Sequence, residues 1–336
     1  MKHLALCATV ILAALGSVIA GEITLYTHRH YEADEKLFGQ FTKETGIKVN
    51  VVKSGADQLM ERLKQEGENS PADLLMTADA GRLHRAKDQG LLQPAESKIL
   101  IEKIPAALRD PDGQWFGFTS RARVIIYSKD RIKPEELSTY EDLTDEKWKG
   151  RILVRSSSNI YNQSLLASII AAHGEDKALV WARAVRKNMA RPPQGSDRDQ
   201  MRGVAAGLAD IAIANTYYVG LLTNSADPKD REVAKKIGVF FPNQDDRGAH
   251  INVSGAGVVK TSDNKADAVK LLEFLASEAA QASFPNATSE YPVVEDVAWS
   301  DLLKSWGDFK ADTLNLGKLG SLNKAAVKIF GRADWQ

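Results

Sequence analysis

Strand-like and helix-like runs alternate along this chain, and that order restricts it to α/β architectures. Ile23–Thr27 is a short β-rich run, and Ala33–Thr45 sets Leu37, Phe38 and Phe41 at helical spacing before Gly46 stops it. Ile47–Val52 alternates apolar and polar residues. Ala56–Glu66 is helical through Leu59, Met60 and Leu63, and ends at Gly67. Ala72–Thr77 is an apolar run of the buried-strand type, and Ala80–Gln89 is a helix stopped by Gly90. This βαβαβα order predicts a parallel sheet with helices on both faces. A second set follows, with strands at Arg123–Ser128, Arg151–Val154 and Ile211–Ala214 and helices at Tyr161–Ala172 and Asp176–Lys187. Ile237–Phe241 and Val253–Val259 are strands again, and helical patterns close the chain from Asp263. At 336 residues the chain exceeds a single core, so two lobes are expected. Thr119–Arg123 and Phe241–Arg247 are the candidate crossing points, and the cleft between the lobes is the expected ligand position.

The first 20 residues have a different character. Met1-Lys2-His3 is a basic start, Leu4–Leu15 is apolar but too short to span a bilayer, and Val18-Ile19-Ala20 is a small-residue cleavage site. An exported protein is expected, cut near Ala20. Cys7, the one cysteine, leaves with that segment, so the remainder has no disulfide and no thiolate metal ligand. The 44 basic and 44 acidic residues balance, which argues against nucleic acid as a partner.

The informative residues lie at three strand-to-helix junctions: Leu25–Glu32, Val154–Asn162 and Ile211–Tyr218. Each has a β-type run, a polar turn and then tyrosine near a helix start. Four of the eight tyrosines sit there: Tyr31, Tyr161, Tyr217 and Tyr218. In open α/β sheets the carboxyl ends of strands face the ligand crevice. The adjacent pair Tyr217 and Tyr218 would point to opposite faces of a strand, but can converge at a first helical turn. Phenolate is a hard, anionic donor suited to a trivalent ion, and tyrosine is a known ligand of ferric iron. Three phenolates from Tyr161, Tyr217 and Tyr218 would neutralise Fe(III). Tyr31 would add a fourth donor, and His30 a neutral nitrogen.

These segments resemble the periplasmic ferric-iron-binding proteins of bacterial ABC importers, in the tyrosine-rich branch that needs no synergistic anion. The resemblance is carried by His28-Arg29-His30-Tyr31, Ser158-Asn159-Ile160-Tyr161-Asn162-Gln163-Ser164 and Asn215-Thr216-Tyr217-Tyr218. Pro71-Ala72-Asp73-Leu74 and Trp148-Lys149-Gly150-Arg151 support it. It implies a two-lobed periplasmic binding protein fold, α/β in class, each lobe a central sheet flanked by helices, that closes on iron. His30 and Tyr31 would come from the first lobe, and Tyr161, Tyr217 and Tyr218 from the second. The expected division is 21–118 with 244–292 for lobe 1 and 119–243 with 293–336 for lobe 2. The resemblance also implies a monomer that is not an enzyme and that delivers Fe(III) to an inner-membrane ABC permease. Another branch carries a glutamate ligand after the third strand. Here Thr77-Ala78-Asp79 stands there, so that ligand does not transfer.

Other features have plainer readings. Adjacent tyrosines taken alone more often pack or form interfaces. His28 reads as exposed or supporting, Tyr140 as surface packing at a helix start, and Tyr26 and Tyr127 as core. One of Arg121 and Arg123 is expected at the cleft, offsetting phenolate charge or holding an anion. Ser156–Asn159 reads as a cap and support for the helix that follows. The rival functions are a binding protein for a small anion or organic solute in the same fold, and a secreted metalloenzyme. The latter lacks a Gly-x-Ser-x-Gly elbow and a His-Glu-x-x-His helix.

Overall fold

The structure, a computed structural model, describes residues 21–29 and 31–335. The expected leader and Cys7 lie outside the described residues. Among the described residues ten strands form the framework: β1 (Glu22–Thr27), β2 (Lys48–Lys53), β3 (Leu74–Ala78), β4 (Leu92–Gln93), β5 (Phe116–Ser128), β6 (Ile152–Leu153), β7 (Ile211–Asn215), β8 (Ile237–Phe240), β9 (Ile251–Val259) and β10 (Tyr291–Pro292). Their main order is β2-β1-β3-β9-β5-β7-β6. β1 pairs in parallel with β2 and β3, as the βαβαβα pattern predicts. β9, a strand whose direction is not set by the sequence pattern, inserts antiparallel between β3 and β5. The chain has to return to the first lobe after building the second, and a single return strand arrives with the opposite direction.

β5 is the element that joins the lobes. Its first half pairs with β9 and β10, and its second half with β7 and β8. The strand therefore passes from one sheet into the other without a break. Nearly all of its residues are buried, including Arg121 and Arg123. Its amino-terminal half, Phe116–Ala122, is missing from the expected strands. Gly117, Thr119, Ser120 and Arg121 give it no apolar alternation, yet both of its faces are covered.

Local chemistry explains the helices. Glu32–Thr45 begins with Glu32, Asp34 and Glu35, which suit the positive end of a helix dipole, and Gly46 ends it at φ 74°. Leu37, Phe38 and Phe41 face the core, as their spacing predicts. Ala56–Glu66 and Ala80–Asp88 cover the first sheet in the same way through Leu59, Leu63, Leu83 and Ala86. Ile160–His173 is apolar nearly all round and is buried along most of its length, packed against Glu175–Asn188 and the carboxyl-terminal helices. The short helix Gly317–Ser321 packs on both Ala80–Asp88 and Ile160–His173 and so bridges the lobes. Among the described residues no helix is long and apolar enough to cross a membrane.

Candidate metal centre

Three strand ends deliver side chains to one cleft of about 550 Å³ between the lobes. After β1, Tyr31 takes the cap position of Glu32–Thr45 in an extended conformation (φ −79°, ψ 134°). After β6, Asn159 caps Ile160–His173, its side chain accepting the Tyr161 N–H at 3.0 Å, which fixes Tyr161 in the first turn. β7 runs directly into the helix Thr216–Thr223, with Asn215 as the extended residue between them, so Tyr217 and Tyr218 occupy its first turn. Tyr31, Tyr161, Tyr217 and Tyr218 all line the cleft. The Tyr217 hydroxyl donates to the Tyr161 hydroxyl at 3.3 Å. The Tyr217 and Tyr218 rings lie 4.1 Å apart between centroids. His30 lies outside the described residues.

The electrostatics of the cleft favour anionic oxygen only once a cation arrives. Burial pushes Tyr217 well above the usual phenol range, and Tyr161, Tyr218 and Tyr31 push the same way. Burial likewise raises Tyr31, aided by Glu290, and Tyr218, aided by Tyr161. Against this, the tyrosines stand at three helix amino-termini, whose positive ends favour negative charge nearby. Arg121 is buried at the cleft wall, 5.7 Å from the Tyr161 ring centroid, with Nη1 3.4 Å from the Ser254 hydroxyl. Its Nε and Nη2 have no hydrogen-bond partner among the described residues. Of the two arginines expected near the crossing, Arg121 is the one lining the main cleft. Arg123 is committed to structure, donating to Asp197 at 3.0 Å, Asn215 at 2.9 Å and Asn162 at 2.6 Å.

Ala78 also lines the cleft. The position where the other branch has a glutamate is thus at the site, and it offers no donor here. Among the described residues no group of three or more His, Cys, Asp or Glu is placed to hold a metal ion. The ionisable oxygen donors lining the cleft are the four phenols and the Glu290 carboxylate, which is held by Arg29.

Sequence reasoning left Arg29 without a role. The structure buries it under Tyr31, its guanidinium 4.9 Å from the ring centroid. It holds Asp34 with two hydrogen bonds, at 2.8 and 3.1 Å, and Glu290 with one at 3.2 Å. Asp34, five residues on at a helix start, is a local partner that could have been found. Glu290 has no local signal. Tyr140 is a correction: expected at the surface, it is fully buried. Its hydroxyl donates to the Arg123 carbonyl and accepts the His250 N–H at 3.0 Å, so the ring sits under the β5–β9 crossing.

Comparison with known proteins agrees with this geometry. Iron uptake protein A1 of Synechocystis is 54% identical over 315 residues, spanning 94% of this chain and 88% of its own length. The Trichodesmium protein IdiA (FutA), solved in complex with iron and citrate ligands, superposes with a TM-score of 0.92 at 53% identity, covering 94% of this chain and all of that one. The ferric binding protein from Campylobacter jejuni superposes at 0.88 with 45% identity, again over 94% of this chain and all of its own. The profile described as bacterial extracellular solute-binding protein matches residues 36–311. With most of its length matched and its two-lobed fold shared with these relatives, the chain belongs to the bacterial extracellular solute-binding protein family.

Proposed function

We propose that this protein captures ferric iron in the interlobe cleft and delivers it to an inner-membrane ABC permease. The phenolates of Tyr31, Tyr161, Tyr217 and Tyr218 are the donors in this reading, with His30 as a nitrogen donor. The carrying observation is that four tyrosines from three separate helix starts line one cleft, with no rival metal-ligating cluster among the described residues. The names of the relatives, an iron uptake protein and a ferric binding protein, support the same cargo. The protein acts as a periplasmic monomer and not as an enzyme. In this reading the lobes are 21–118 with 244–292 and 119–243 with 293–336; β5 changes pairing partners between Ala122 and Arg123, a few residues past the first boundary.

One observation favours a co-bound carboxylate as a second reading. Arg82, Arg155 and Arg198 join Arg121 around the cleft, and the Trichodesmium relative was solved with citrate beside its iron. Adding citrate to the iron-loaded protein would then shift the visible absorption.

Ferric phenolate absorbs visible light, so the purified, iron-loaded protein should be red to purple. Tyr217→Phe and Tyr218→Phe each remove one oxygen and keep the ring. Each should weaken Fe(III) binding at least about tenfold, or about 1.4 kcal/mol, in chelator competition, with the fold intact by circular dichroism. Parent-like affinity in both variants would sink the assignment.

A further inference from the structure

Asp79 is buried at the end of β3, in a backbone conformation that side-chain-bearing residues rarely adopt (φ 83°, ψ 112°). Its N–H donates to the Val253 carbonyl of β9 at 2.8 Å. Its carboxylate accepts the Gly81 N–H at 2.9 Å, capping Ala80–Asp88, and the Asn252 Nδ2–H at 2.8 Å. Asn252 in turn accepts the Ala80 N–H at 2.8 Å and stands opposite Arg121 in the β5–β9 register. The remaining donor comes from the other lobe. The Ser164 hydroxyl reaches both carboxylate oxygens, at 2.9 and 2.8 Å. Ser164 lies one turn beyond Tyr161 on the same helix and is also buried. One side chain therefore ties together β3, the return strand β9 and the helix that presents Tyr161.

We propose that the Asp79–Ser164 hydrogen bond is the pivot of the two lobes and that Asp79 is a positioning residue, setting through Ser164 where Tyr161 stands relative to the first lobe. Capping alone does not account for the arrangement. The cap needs only the Gly81 N–H on Oδ1, whereas Ser164 adds a donor to both carboxylate oxygens. The bond also lies beside the continuous strands that join the lobes, where a rotation moves atoms least, so it persists while the far rim of the cleft opens. A rigid fulcrum makes closure bring the Tyr161 oxygen to one place. Without it, the second lobe reaches the cation in a spread of orientations. The proposal rests on the ferric reading of the cleft, and its test keeps the two apart.

The test uses the mature full-length chain with Lys64→Cys and Lys229→Cys as label sites. Both positions are exposed, one in each lobe, and the only native cysteine, Cys7, lies in the leader. Ser164→Ala, Asp79→Asn and the double variant are compared by spin-label distances in the iron-free protein and by Fe(III) competition. Ser164→Ala is expected to broaden the interlobe distance distribution and to weaken iron about tenfold, with the absorption band unchanged in position. Asp79→Asn should do the same, and the double variant should be no worse than the weaker single. Parent-like distances and affinity in Ser164→Ala, or losses that multiply in the double variant, overturn the pivot. Tyr161→Phe is the separating control. If it loses iron while Ser164→Ala does not, the pivot fails and the site stands. If it binds iron like the parent, the site fails, and the distance measurement still decides the pivot.

Discussion

A phenol in water keeps its proton to about pH 10, and burial makes Tyr31, Tyr217 and Tyr218 keep theirs further still. A cation entering the cleft must displace those protons, so binding releases them and affinity rises with pH. Competition titrations from neutral to mildly acidic pH should show Fe(III) affinity falling steeply, with more than one proton taken up per iron released. A flat profile would mean that phenolates do not carry the site. Reduction to Fe(II) should also release the metal, since a lower charge stabilises phenolate less. His250 is a second titrating residue, with a different readout. Burial, with Arg247, Arg123 and Arg121 around it, holds its proton affinity well below that of free imidazole. The unfolded chain protonates this histidine below about pH 6.5, and burial opposes that protonation in the folded chain. Its contribution to stability is therefore complete above that pH and is lost as pH falls, by at most about 1.4 kcal/mol per pH unit. Urea unfolding of the iron-free protein between pH 7 and 5 should show this slope, and His250→Gln should flatten it.

At the scale of elements, the three tyrosine-bearing helix starts were legible because each is local: a β-rich run, a turn and a first helical turn within about ten residues. Asn159 capping the Tyr161 N–H is the same kind of signal. What stayed hidden is contact between distant residues. Glu290 reaches Arg29 across 261 positions and Ser164 reaches Asp79 across 85, and neither pairing leaves a mark in periodicity. The polar half of β5 was hidden for a related reason, since a strand buried on both faces need not alternate. The helix Gly317–Ser321 makes the point with a testable contrast. A Cβ on Gly320 would lie 2.5 Å from the Cβ of His84, an atom close to the backbone that cannot swing away. Gly320→Ala should therefore cost about 1–3 kcal/mol in urea unfolding. Gly331, in the helix Asn323–Arg332, has nothing within 4 Å of the same added atom. Gly331→Ala should instead gain about 0.5–1 kcal/mol from the helical preference of alanine.

For the whole molecule, a site built from both lobes couples cargo to shape, the hinge closure common among binding proteins. Solution scattering should give a smaller radius of gyration with iron than without, and labels at positions 64 and 229 should move closer together. Equal dimensions in the two states would separate binding from closure. The interleaved chain order has a further consequence, in time rather than in space. Leu74 in β3 waits for its partner Val258 in β9, and Thr119 in β5 waits for Pro292. At about 5–20 residues per second, a ribosome takes roughly 10–40 s to travel from the first of these partners to its mate. Through that interval the first sheet lacks its central strand, and the strand it shares with the second sheet has an unpaired edge. A chain built in this order stays open for most of its synthesis, the condition in which a polypeptide can still be threaded, and it completes its first lobe only when nearly all of it exists.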